Sequence, residues 1–68
     1  MNVLITGGSG FIGSHITDHC IEQSYKVKIL DIKEPHRSDV EFIEGSVVNR
    51  SLLTKSMQEI DYALLRAP

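Results

Sequence analysis

The sequence predicts an α/β fold: a parallel sheet of about four strands in the order β-α-β-β-α-β, with helices on both faces. Three observations carry that prediction. Val3, Leu4 and Ile5 form a short apolar run rich in β-branched residues at the amino end. A glycine-rich turn, Thr6-Gly7-Gly8-Ser9-Gly10-Phe11-Ile12-Gly13, follows at once and leads into a helical pattern. A second strand-like run, Lys26-Val27-Lys28-Ile29-Leu30-Asp31, comes after that helix and ends in a carboxylate.

The elements follow in order. The first helix is expected from about Phe11 to Gln23, with Ile12, Ile16 and Cys20 at i, i+4 and i+8 and Ile21 widening the apolar stripe. Ser24-Tyr25 closes it without the Gly usual at that position, which predicts a less favourable cap. In the second strand Val27, Ile29 and Asp31 share one parity and Leu30 the other. Lys33 to Asp39 is charged, contains Pro35 and reads as an exposed loop. Val40 to Glu44 reads as a third strand stopped by Gly45. That link is short, since parallel crossovers commonly need a dozen or more residues. Asn49 or Ser51 can cap a second helix from about Ser51 to Gln58. Asp61 to Leu65 reads as the start of a fourth strand. No repeat, low-complexity tract or linker divides residues 1–68, which are expected to form one unit with no second domain.

Strand, glycine turn and helix is the arrangement that cradles a dinucleotide pyrophosphate. The first glycine permits a tight turn, the middle one lets phosphate oxygens approach the backbone, and Gly13 lets the helix pack close to the strand. The helix start then aims unpaired N–H groups and its positive dipole end at the anion. The plain alternative is a glycine-rich turn with no ligand. A P-loop is excluded, because Ser14 and His15 stand where Lys and Ser/Thr are needed. Asp31, 18 residues beyond Gly13, stands near the expected place for the acid that accepts hydrogen bonds from the adenosine ribose. A carboxylate there favours NAD and repels the 2′-phosphate of NADP. Lys33 and Arg37 lie just beyond and could still help hold such a phosphate. The bland reading of Asp31 is a turn former at a strand end.

Gly8-x-Gly10-x-x-Gly13 fits the general G-x-G-x-x-G spacing, and Thr6-Gly7-x-x-Gly10-x-x-Gly13 fits a stricter one. With Phe11-Ile12 inside it and Ser14-His15 after it, the stricter pattern resembles the short-chain dehydrogenase/reductase superfamily. TGGSGFIGSH is most similar to its extended branch, the NAD-dependent epimerase/dehydratase family, which acts largely on nucleotide sugars. The resemblance implies a partial Rossmann fold, the N-terminal part of an NAD(P)-binding domain. The complete fold has strand order 3-2-1-4-5-6, of which one half and the first strand of the second are present. Right-handed crossovers then put the two helices on opposite faces. The resemblance also implies cofactor contacts at Gly7, Gly10, Phe11, Ile12 and Gly13, with Asp31 on the ribose and Ser46 and Val47 beside the adenine.

Two positions depart from the family's pattern. Its third strand is usually followed by Gly-Asp and an apolar residue, whereas this chain has Gly45-Ser46-Val47. A Ser hydroxyl reaches less far than a carboxylate and carries no charge, so adenine recognition is expected to be weaker; alternatively, Ser46 merely ends the strand. The family's fourth strand commonly finishes His-Leu-Ala-Ala, where this chain has Leu65-Arg66-Ala67-Pro68. Pro68 cannot donate a ladder hydrogen bond.

Composition narrows the function further. A domain of 68 residues buries only about 60% of the surface of its unfolded chain. The outer edge of the fourth strand would be unpaired and would invite self-association. The chain is therefore expected to be a partial form, marginal by itself. A net charge of −2 with mixed signs gives no basic stripe for nucleic acid. No apolar run approaches the ~20 residues of a membrane span, and Met1 leads into the first strand with no signal-peptide pattern. A lone Cys20 fits a cytoplasmic setting.

No catalytic or metal-binding residue is expected in this chain. His15 and His19 have a metal-compatible spacing but no third ligand. Cys20 sits in the apolar stripe with no base to activate it. Tyr62-x-x-x-Arg66 only superficially matches the family's catalytic Tyr-x-x-x-Lys: on a strand the two positions lie about 13 Å apart, and Arg lacks the tunable pKa of Lys. The leading reading is the NAD-binding portion of an epimerase/dehydratase-like oxidoreductase. The other readings are a non-catalytic dinucleotide-binding or assembly module, and a fragment without activity.

Overall fold

The computed structural model describes residues 1–7, 10–46 and 48–64, with the backbone alone at Phe11. Among these residues strand β1 (Asn2–Thr6) leads to helix α1 (Phe11–Glu22). Strands β2 (Lys26–Asp31) and β3 (Glu41–Glu44), helix α2 (Arg50–Ser56) and strand β4 (Tyr62–Leu64) follow. Every pairing is parallel and the order is β3-β2-β1-β4. This is the expected 3-2-1-4 half-sheet.

Side-chain parity divides the core into two layers. Val3, Ile5, Val27 and Ile29 pack with Cys20 of α1, bordered by Ile16, Ile21, Tyr25, Val40 and Phe42. Leu4 and Leu30 have the opposite parity and are fully buried. Leu52 of α2 lies on their side, against Gly45. The helices therefore cover opposite faces, as right-handed crossovers require. Burying each such Leu stabilises the fold by about 1.5–3 kcal/mol.

Helix α1 corrects one expectation. Ile12 is not part of the buried stripe, being 53% exposed. The buried line runs through Gly13, Thr17 and Cys20, with Ile16 and Ile21 half-buried. Gly13 is itself buried. Steps of four and three residues then select Thr17 and Cys20, while Ile12 is turned outward. Thr17 is tolerated in this layer because its hydroxyl donates to the Gly13 carbonyl at 2.8 Å. At the other end Ser24 takes the left-handed conformation, with φ 64°. Its N–H donates to the Ile21 carbonyl at 2.9 Å and that of Tyr25 to Cys20 at 3.1 Å, the two bonds of a Schellman motif. The cap forms without glycine, and Ser24 bears the steric cost of its Cβ.

The remaining boundaries shift slightly. Residues 32–40 link β2 to β3 without a helix, as expected. β3 begins at Glu41, not Val40. Helix α2 runs from Arg50 to Ser56, not from Ser51 to Gln58, because Asn49 is the residue that caps it. Strand β4 starts at Tyr62; Asp61 just before it accepts from the Asn2 N–H through its carboxylate at 2.7 Å and donates its own N–H to the Asn2 carbonyl at 2.9 Å. The expected continuation through Leu65, Arg66, Ala67 and Pro68 lies outside the described residues.

Candidate functional site

Three strand ends stand side by side at the carboxyl edge of the sheet. Thr6 pairs with Leu30 in register, and the Gly7 N–H donates to the Leu30 carbonyl at 3.1 Å. Asp31 pairs with Glu44, and the Gly45 N–H donates to the Asp31 carbonyl at 2.9 Å. Gly7, Asp31 and Glu44 thus form one row across strands about 4.8 Å apart, with Gly45 just beyond it. Helix α1 starts at the same edge. Ligands of open α/β sheets bind beyond the carboxyl ends of their strands. A cleft of about 340 Å³ opens at the opposite edge, between Asn2, Lys26, Glu41 and Glu59. It lies away from that row, so the row is the candidate site.

The first turn is built for approach. Gly7 has φ 70°, a region that side chains rarely adopt. The Gly10 N–H donates to the Gly7 carbonyl at 3.2 Å, which brings the chain back to the start of the helix. Gly10 is the N-cap residue, extended at φ −78° and ψ 175°. Neither of these angles demands glycine. A Cβ at Gly10 would stand 3.5 Å from the Gly7 carbonyl oxygen, an ordinary contact, so packing among the described residues does not demand glycine either. What a side chain there would take is the space in front of the helix start. Gly10 supplies no capping side chain, and no acidic residue stands in the first turn. The first intrahelical bond runs from Ser14 N–H to the Gly10 carbonyl at 2.8 Å. The leading N–H groups of Phe11, Ile12 and Gly13 therefore precede the helix's own hydrogen bonding. Such a start suits an anion and fits a diphosphate.

Asp31 stands half-buried at the end of β2. The N–H groups of Ile32 and Lys33 donate to its Oδ1 at 2.7 and 3.3 Å. The loop thus fixes the orientation of the carboxylate, and the turn-forming reading and the acceptor reading of Asp31 are compatible. Ser46 is half-buried beyond β3. Its Oγ accepts from the Val48 N–H at 3.3 Å, and its carbonyl accepts from the Asn49 N–H at 3.0 Å. Ser46 therefore shapes the turn into α2. Val47, expected beside an adenine, lies outside the described residues, as does the side chain of Phe11. Ile12 belongs at the helix start by its backbone, with its side chain outward.

Sequence reasoning missed one constellation. Arg37 donates from Nε and one terminal nitrogen to both carboxylate oxygens of Asp39, at 2.8 and 2.7 Å. Its other terminal nitrogen donates to Asp18 of α1 at 2.8 Å. These bonds raise the guanidinium pKa and lower those of both carboxyls. The charged run Lys33 to Asp39 signals an exposed segment, but its partner Asp18 is 19 positions away from Arg37, beyond any local pattern. Cys20 is buried, and desolvation raises its thiol pKa, as an inert core thiol requires. No group of three or more His, Cys, Asp or Glu residues suited to a metal occurs among the described residues.

The chain's similarity to known proteins follows the same lines. The model of the NAD dependent epimerase/dehydratase family matches residues 3–67. The chain belongs to this family. A putative UDP-glucose 4-epimerase of Methanocaldococcus jannaschii is 66% identical over 29 residues, covering 43% of this chain and 10% of that protein. A UDP-glucose 4-epimerase of Klebsiella pneumoniae is 32% identical over 71 residues, covering 87% of this chain and 51% of that protein. The chain thus spans at most about half the length of these two relatives. The crystal structure of UDP-glucose 4-epimerase from Brucella ovis in complex with NAD has a TM-score of 0.72 and 34% identity. It covers 85% of this chain and 19% of that one. The half-sheet with its two helices is the Rossmann-type architecture of these family members.

Proposed function

We propose that this chain is the NAD-binding, N-terminal portion of an epimerase/dehydratase-like oxidoreductase whose substrates are nucleotide sugars or related alcohols. One observation carries the reading: at Gly10, at the start of α1, neither the dihedrals nor the packing of the described residues asks for glycine, and Asp31 ends the adjacent strand. Gly7, Gly10 and the backbone of Phe11, Ile12 and Gly13 hold the pyrophosphate. Asp31 accepts from the ribose hydroxyls. Ser46 and Val47 border the adenine, Ser46 with its hydroxyl hydrogen. NAD, when bound, supplies a hydride acceptor. Residues 1–68 bind and orient it, and the acid–base groups of the reaction lie outside them. The alternatives are a non-catalytic dinucleotide-binding or assembly module and an inactive fragment.

Calorimetric titration of the purified chain tests the assignment. NAD is expected to bind more tightly than NADP, and Asp31→Asn to weaken NAD while narrowing the gap. Equal or tighter NADP binding by the unaltered chain would overturn the role of Asp31. We also propose that the outer edge of β4 mediates self-association, checked by sedimentation at increasing concentration; a constant monomer mass would refute it. A cytoplasmic setting suits the single reduced, buried thiol. Among the described residues no helix is long and apolar enough to cross a membrane.

A further inference from the structure

Arg37 has the chemistry to hold a 2′-phosphate, since a guanidinium matches phosphate oxygens with paired donors. It also lies only six residues after Asp31 on a link with no helix. An extended run of that length spans about 20 Å, so chain length does not keep Arg37 from the end of β2. The two carboxylates do. Asp18 lies five residues into α1 beyond Gly13, about 8 Å down the helix axis from the turn. Asp39 stands two residues before Glu41, which pairs with Lys28, and Lys28 is about 10 Å below Asp31 along β2. The clamp therefore holds the guanidinium low on the flank of the sheet. His36 also approaches Asp18, at 3.6 Å. Only 27% of the Arg37 side chain is exposed, and one of its two partners, Asp39, is engaged through both oxygens.

We propose that Asp18 and Asp39 form a specificity lock: they hold Arg37 away from the ribose end of the cofactor site and so keep that site selective for a 2′-hydroxyl over a 2′-phosphate. Discrimination then has two parts. Asp31 repels the phosphate, and the clamp withholds the cation that would compensate. This inference rests on the NAD reading given above.

The test is calorimetric titration of NAD and NADP into the purified full chain. The double variant Asp18→Ala/Asp39→Ala is expected to bind NADP about tenfold more tightly, the scale of one charge-assisted contact, with NAD affinity unchanged within about twofold. Adding Arg37→Gln to that double variant is expected to remove the gain. Arg37→Gln alone is expected to change neither affinity, and it keeps the question answerable if the double variant folds poorly. Unchanged NADP affinity in the double variant overturns the lock. So does a gain that survives Arg37→Gln, which would assign the effect to lost negative charge, or weaker NADP binding by Arg37→Gln alone. If the unaltered chain binds no NAD, the cofactor reading itself fails and the lock with it. NAD binding with an unmoved NADP-to-NAD ratio defeats the lock only.

Discussion

Two strand-to-helix turns lie at the same edge of this sheet, and they are finished in opposite ways. The turn from β3 into α2 satisfies itself. Asn49 accepts from the Leu52 N–H at 3.1 Å, Ser46 accepts from Val48, and Leu52 occupies the space that a Cβ on Gly45 would need. The turn from β1 into α1 has Gly10 at its cap, and among the described residues a Cβ there would meet no more than an ordinary contact with the Gly7 carbonyl oxygen. Both contain glycine, for different reasons. At Gly45 the protein fills the gap with its own side chain. At Gly10 it leaves the helix start to something else. A helix start that is already capped offers few donors to a ligand, which is why the uncapped one is the candidate site.

Closing the open turn should have the largest effect. Gly10→Asp places a carboxylate where φ and ψ already suit a capping residue. We expect a melting temperature unchanged or slightly raised, because Asp for Gly at this position gains a few tenths of a kcal/mol. NAD affinity should fall by about 100-fold or more, as the new charge replaces the diphosphate at the same donors. Retained affinity in calorimetry would refute the contrast between the turns.

Overfilling the closed turn comes next. Gly45→Val sets its branches against Leu52 and Leu30 and should destabilise the fold by about 1–3 kcal/mol, measured by urea denaturation. Leu52→Ala should recover part of that loss, and strictly additive costs would show that the two groups do not compete for one space. Uncapping the closed turn is milder. Asn49→Ala should cost about 1 kcal/mol and, on the proposed assignment of the pyrophosphate to α1, leave NAD affinity unchanged. A matching drop in NAD affinity would mean that both turns serve the ligand.

The smallest effect concerns the clamp beside the open turn. Asp18 and Asp39 have pKa values lowered from 3.8, chiefly by their hydrogen bonds from Arg37. A carboxyl with a depressed folded-state pKa contributes stability that is present above its unfolded value and lost as pH falls through the folded one. The unaltered chain should therefore lose part of its stability below about pH 3.8. Arg37→Gln should flatten that segment of the profile and lower stability at pH 7 by the same amount, which solvent screening of the partly exposed pairs keeps modest. Identical acid profiles for the two chains would show that the clamp is energetically silent.

Much of this was legible in the residues. The apolar runs at Val3 to Ile5 and Val27 to Leu30 are local signals, and a sheet buried on both faces leaves them few alternatives. The glycine turn and Asp31 were equally legible, since backbone freedom at Gly7 and a carboxylate at a strand end are properties of single residues. Ser24 was identified as an imperfect cap because the missing glycine is itself visible. The outward side chain of Ile12 was not legible. Its spacing to Ile16 and Cys20 is helical, but which side of α1 meets the sheet depends on where the helix comes closest.

The sequence by itself determined the kind of elements, their order and the open glycine turn, because these follow from apolar period, backbone freedom and chain connectivity over a few residues. Only the tertiary structure decided that Gly13, Thr17 and Cys20 form the buried line, that Leu52 fills the space over Gly45, and that Arg37 is bound by Asp18. Each of those outcomes depends on groups brought together through space by the sheet, where close packing and paired charges select among arrangements that local patterns leave equal.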